Sequence, residues 1–178
     1  MTITRQDIVS LRRRDLAAAL REGHDIAPEA LDDSAYRGIS LGLPRWAEKL
    51  SWKTFQKTFH RDPATGSLRG WNVRVEQRGL DAPSVALVRA GAPFTFGPYV
   101  VHELPARRPP GLRHGLLIDY TPCRGLMSRL RDPLVALNPG SVELLLGWSY
   151  LDLGLFLAPT PSYFLLEREA ALQHVVPA

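Results

Sequence analysis

Cysteine is almost absent from this chain. Cys123 is the only one in 178 residues. No intrachain disulfide can form, and a reducing cytoplasm is the simpler compartment to expect. Lysine is nearly as scarce: all but three of the 22 basic residues are arginine, the exceptions being Lys49, Lys53 and Lys57. The acidic and basic residues balance to a net charge of +4, with Arg12–Arg14 the only triple and Arg107–Arg108 the only other adjacent pair. No aromatic-basic stripe accompanies them, so a nucleic-acid partner is not expected. Long apolar runs are missing too. The richest, VELLLGWSYLDLGLFLAP (142–159), is interrupted by Glu143, Asp152, two glycines and a proline. That is too broken for a transmembrane segment. The amino-terminal MTITRQDIVSLRRRD has no apolar core of a secretory signal.

Metal and catalytic motifs are also lacking. The five histidines (His24, His60, His102, His114, His174) have no ligand spacing, so no dedicated metal site is expected. His60 and His102 read as solvated. A haem contact by His114 or His174 has nothing to favour it, and no cofactor is expected. GISLG (38–42) has the spacing of a nucleophile elbow around Ser40. An elbow needs a parallel strand leading into a helix, and the chain lacks that alternation. Cys123 stands beside Arg124, which would lower its thiol pKa.

Turn formers are plentiful: 15 prolines and 14 glycines punctuate the chain at short intervals. That favours many short strands over a few long helices. One helix is expected over 5–22, RQDIVSLRRRDLAAALRE. Ile8, Leu11, Leu16, Ala19 and Leu20 lie near one face, Thr4 and Asp7 suit the start, and Gly23 suits the stop. GHDIAPEALDDSAYRGISLGLP reads as irregular, with a helical turn at PEAL. PRWAEKL reads as a short helix with Pro44 at its first position.

SWKTFQKTFH (51–60) fits two patterns. As a helix, Trp52, Phe55 and Phe59 share a face. As a strand, Lys53, Phe55, Lys57 and Phe59 do. The neighbouring turn DPATG and the clean alternation of Trp71, Val73 and Val75 with polar residues favour a hairpin, hence a strand. Further strands are expected over Pro83–Arg89, Phe94–Leu104 with an interruption at Gly97-Pro98, His114–Tyr120, Pro133–Leu137, Val142–Leu153 and Ser162–Arg168. TPCRGLMSRLRD has room for one helical turn. The total is about eight strands after one helix: a mainly β chain, antiparallel, in a single domain. A sheet of this size closes most economically into a barrel, with a sandwich as the alternative. Eight strands leave an interior that can just hold one small ligand.

Three stretches resemble a bacterial lipocalin-like family within the calycin barrels: SAYRGISLG (34–42), LSWKTFQKTF (50–59) and LLLGWSYLDLG…PSYFLLER (144–168). That family carries a Gly-x-Trp-x-Gly motif near the start of its barrel. Here Ser34 and Tyr36 stand at its first two positions and Gly38 at the third. The resemblance implies a barrel over 34–170 that binds an apolar small molecule. It carries over no catalytic residue.

The residues suggest a wall for such a ligand: Trp71, Val73, Phe96, Trp148 and Tyr150, large apolar surfaces with some polar handles. On Val142–Leu153 both faces are apolar, and the inward one is open. On a strand, His114 and Tyr120 share a face, and together they could move protons on an enolisable substrate. The leading expectation is binding or carriage of a hydrophobic small molecule. The alternative is a cofactor-free isomerase or cyclase using the same pocket. A third is an interaction module docking a partner through the N-terminal helix and Arg12–Arg14. The number of chains in the assembly is not readable from the sequence.

Overall fold

The computed structural model describes residues 2–42 and 53–176. The helix expected at PRWAEKL lies outside them, as does Trp52. Eight strands form a closed antiparallel barrel: β1 (Ser34–Leu41), β2 (Thr54–Arg61), β3 (Leu68–Val73), β6 (Thr95–Glu103), β7 (Leu116–Asp119), β8 (Leu130–Asn138), β9 (Ser141–Asp152) and β10 (Leu157–Ala171). Their order around the wall is β1-β10-β9-β8-β7-β6-β3-β2. Every strand has two neighbours, which removes the exposed edges of an open sheet.

SWKTFQKTF is a strand from Thr54 onward, as its neighbouring turn implied. Asp62 makes that turn: its Oδ1 accepts from the N–H groups of Ala64 (2.9 Å) and Thr65 (3.1 Å). Gly66 then supplies the positive φ, +70°.

The strand count was right, but one member was exchanged. Pro83–Arg89 is not a barrel strand. It belongs to an excursion between β3 and β6 that forms one bridge, Val75 to Ala86, and a two-residue ribbon, β4 (Val88–Arg89) with β5 (Ala92–Pro93). Its place is taken by SAYRGISL, which read as irregular. This β1 segment pairs with β2 on one side and β10 on the other. Gly38 and Ser40 face inward with Tyr36, while Ile39 and Leu41 face out: Gly38 has no room for a Cβ, which would sit 2.3 Å from the Phe55 ring. β8 also begins three residues earlier than expected. Pro133 has no N–H for the β9 ladder, and pairing there skips from Arg131↔Tyr150 to Leu134↔Gly147.

The helical segment breaks in two, α1 (Arg5–Val9) and α2 (Arg13–Glu22). The Asp7 carboxylate accepts from the Thr4 N–H and hydroxyl, fixing the start. The break lets α1 lie against β10 and α2 against β8 and β9, following a curved wall that a straight helix would leave. Ile8, Leu16 and Leu20 are buried with Ile39, Val135, Leu144, Leu146 and Leu165 in a cluster outside the barrel. Gly23 sits so close to Val135 that a Cβ would lie 2.3 Å from its side chain.

The second cluster fills the barrel. Tyr36, Phe59 and Tyr99 pack edge to face, with centroids 5.4 and 6.0 Å apart, among Leu68, Ile118, Leu134, Leu145 and Leu166. One end is corked. After α2, His24 exchanges backbone hydrogen bonds with Ala136, and Ile26 and Leu31 drop into the interior, Leu31 from the 3₁₀ turn Pro28–Leu31. A cavity among inward-facing side chains lies toward the opposite end. Among the described residues, no helix is long and apolar enough to cross a membrane.

Candidate functional site

Strand parity builds the site. On β2, Phe55, Lys57 and Phe59 point inward; on β3, Leu68 and Asn72 do; on β8, Leu130, Asp132 and Leu134 do. Among the described residues, the inward positions nearest the other end line a cavity of ≈ 190 Å³. Its walls are Phe55, Phe96, Met127, Leu130 and Phe164, with the hydroxyls of Ser40 and Ser162. Its floor is Lys57, Asn72, Tyr120, Asp132 and Ser149. The same end of the barrel carries exposed Leu126 and Met127, on the 3₁₀ turn Gly125–Arg129, and exposed Leu155 and Phe156 in the β9–β10 connection.

The floor holds a buried ion pair. Lys57 is 2% exposed and Asp132 2%. The Lys57 Nζ donates to Asn72 Oδ1 (3.0 Å) and to the Tyr120 hydroxyl, and it lies 3.6 Å from Asp132 Oδ2. Four aromatic rings enclose it, with centroids at 4.8 Å (Tyr99), 5.1 Å (Tyr120), 5.1 Å (Phe164) and 5.9 Å (Phe55). Asn72 is locked in turn, its Nδ2 donating to the Gly97 carbonyl at 3.1 Å.

Burial controls the protonation here. It pushes the Lys57 ammonium down to about 8, against the pull of the Asp132 charge. It pushes the Asp132 carboxyl up, with Lys57, Ser149 and Tyr120 holding it back. Burial and then the Asp132 charge raise the phenols of Tyr99 and Tyr120 well above their ordinary value, so both remain protonated donors. One floor atom is poorly matched: Asp132 Oδ1 is buried with no hydrogen bond of good geometry, although Ser149 and Tyr120 stand close enough to the carboxyl to hold its pKa down. A poorly matched carboxylate oxygen beside a cavity is an acceptor awaiting a better donor.

Of the candidate residues read from the sequence, Tyr120 and Phe96 line this cavity. His114 does not join Tyr120. It precedes β7, is half exposed, and pairs with Asp25 at 2.9 Å. Six residues of extended chain put the two on the order of 20 Å apart. Trp148 and Tyr150 sit on the outward face of β9, Trp148 beside the helices and stacked on Tyr163 with ring centroids 6.0 Å apart. The inward positions of β9 are Leu145, Gly147 and Ser149, which settles the face left open. Trp71 and Val73 also point outward. They line a separate cleft of ≈ 290 Å³ beneath the β3–β6 excursion.

That outer cleft is larger, but its buried charge is already spent. Glu169 accepts from Arg37 Nη2 (2.7 Å) and the Ser84 N–H (2.7 Å), both structural contacts. The mouth cavity instead holds the Lys57–Asp132 pair. Ser40 lies in an antiparallel strand, so GISLG is no elbow, in line with the missing alternation. Two other readings change. His60 is packed on Trp71 and bonded to Asp33 at 2.6 Å rather than solvated. Cys123 donates to the Pro98 carbonyl (3.2 Å), and burial raises its thiol pKa instead of Arg124 lowering it. Among the described residues no cluster of three His, Cys, Asp or Glu could hold a metal.

Lys57, Asn72 and Asp132 escaped the sequence reading, although a signal existed for Lys57. It shares its strand face with Phe55 and Phe59, so any register that buries those rings buries the lysine. Comparison with family models, curated proteins and solved structures found no match to this chain.

Proposed function

We propose that the barrel binds a small molecule with an apolar body and one polar head, held in the mouth cavity with its head on the floor. The observation that carries this reading is the poorly matched Asp132 Oδ1 at the base of an aromatic-walled opening. The walls remove an apolar body from water; the Lys57–Asn72–Tyr120–Asp132 cluster orients the head. At ≈ 190 Å³ the space is below the roughly 300–1,000 Å³ of drug-sized sites, so the ligand is compact. The filled lower half argues against a long acyl chain threaded through the barrel.

The test is organic extraction of the purified protein with mass spectrometry, followed by titration with an apolar fluorescent probe. Phe96→Trp fills the mouth and should abolish probe uptake, whereas Trp148→Phe on the outer wall should not. Uptake unaffected by Phe96→Trp would refute the assignment.

One observation favours an enzyme as the second reading. Tyr120 and Asp132 give the cavity a phenol and a carboxylate within one hydrogen-bonded group, the acid and base that an isomerase or cyclase needs. Turnover of the extracted ligand would distinguish it from carriage.

A further inference from the structure

We propose that Lys57 forms a covalent imine with a compact aldehyde or ketone held in the mouth cavity, with Asp132 and Tyr120 relaying the protons. This rests on the reading of the mouth as a ligand site and names the class of ligand.

Three features of the site converge on it. The chain uses arginine at all but three of its basic positions, yet the cation sealed in the barrel is a lysine. Arginine cannot give up its proton in a protein; lysine can, and its free amine is a nucleophile. Lys57 forms part of the cavity floor, so a ligand carbon resting there meets it directly. The groups around it are those that imine formation needs. Asp132 is an acceptor for the ammonium proton at 3.6 Å, and the Tyr120 phenol, in contact with Nζ, can donate to a carbonyl oxygen. Burial adds to this by holding the amine at about 8, so a usable fraction is neutral near pH 8. The rings around Nζ keep out the water that would hydrolyse the product.

The steps balance. Lys57 passes one proton to Asp132, and its nitrogen lone pair attacks the carbonyl carbon. The C=O π pair moves to oxygen, which takes the Tyr120 proton, and the new ammonium returns a proton to Tyr120. Asp132 then protonates the hydroxyl. The nitrogen pair forms C=N and water leaves. The products are a protonated imine, a carboxylate and one water. A cation again faces Asp132 at the end, so the pair, neutral between its first and last proton transfers, recovers both charges.

The experiment treats the intact protein with cinnamaldehyde and cyanoborohydride at pH 8, then reads intact mass and a peptide map. Binding of cinnamyl alcohol, which cannot form an imine, is measured in parallel. The three lysines make the map unambiguous. The expected product is the aldehyde less one oxygen on Lys57, formed about tenfold faster than on an ordinary lysine, blocked by excess alcohol and absent in Lys57→Arg. Alcohol binding without a Lys57 adduct overturns the imine and leaves the binding reading standing. Neither binding nor adduct overturns both. Because the wild-type map is itself decisive, misfolding of the variant would not rescue the proposal.

Discussion

Replacing Lys57 with methionine isolates what the buried pair does for the fold. Met keeps the unbranched stem among Tyr99, Tyr120 and Phe164 and deletes the ammonium. Asp132, its side chain 3% exposed, is then left with no cation and with one oxygen already poorly matched. Breaking a buried pair from one side typically costs about 3–5 kcal/mol. For a chain of this size that lowers the melting temperature by roughly 6–20 °C. The double variant Lys57→Met/Asp132→Leu removes both charges and should recover to within about 1 kcal/mol of wild type, or exceed it. Urea unfolding of wild type, both single variants and the double variant closes the cycle, with an expected coupling of at least about 5 kcal/mol, the two single losses less the small double loss. A single variant that loses less than about 1 kcal/mol would mean that Asp132 reaches water. A double variant as weak as the single would mean that the pair is not energetically coupled. Either result refutes the argument from burial.

The pair also predicts a pH response. Lys57 has its folded value lowered from 10.5 to about 8, so between those values the unfolded chain binds a proton that the folded chain does not. Stability therefore rises with pH across that window, by up to about 3 kcal/mol, relative to Lys57→Met/Asp132→Leu; a flat difference between the two denaturation series would refute the shift. Gly70→Ala should prevent folding or cost more than about 3 kcal/mol, because its Cβ would lie 1.9 Å from the Thr58 carbonyl and 2.6 Å from the Tyr99 ring; circular dichroism and a melting curve check it. Trp148→Ala should cost about 3 kcal/mol by opening the helix-covered wall, yet leave probe affinity within about twofold; a large affinity loss would place Trp148 in the ligand's path.

Much of the architecture is legible in composition and punctuation. The turn at Asp62–Gly66 forces the chain back on itself, and period-two patterning follows on both sides of it. The missing β-α alternation excludes a parallel sheet. β1 was not legible, because its residues are chosen to fit other strands. Gly38 is small to admit Phe55, and Ser34 spends its hydroxyl on the Leu31 carbonyl. Pro83–Arg89 misled for the opposite reason. It has strand composition, but its partners are a lone bridge and a two-residue ribbon. The helix over 5–22 has a continuous apolar face, and only the curvature of the wall beneath it calls for the break at Ser10–Arg12.

The site follows the same division. Composition and order by themselves determined that the chain would be mainly β, antiparallel, preceded by helix, with few reactive groups to choose from. They also placed Lys57 on a face with two phenylalanines, because side chains two apart on a strand must share a side. Which side faces inward was a tertiary decision. A strand apolar on both faces, such as β9, carries no local information about it. Only closing the barrel and packing α1 and α2 outside it turned Trp148 and Tyr150 away from the interior and Ser149 toward it. The meeting of Lys57, Asn72, Tyr120 and Asp132 was decided the same way. They come from three strands and the residue that follows β7, with up to 75 positions between the first and the last, and no spacing along the chain encodes a contact made by the shear of a closed sheet.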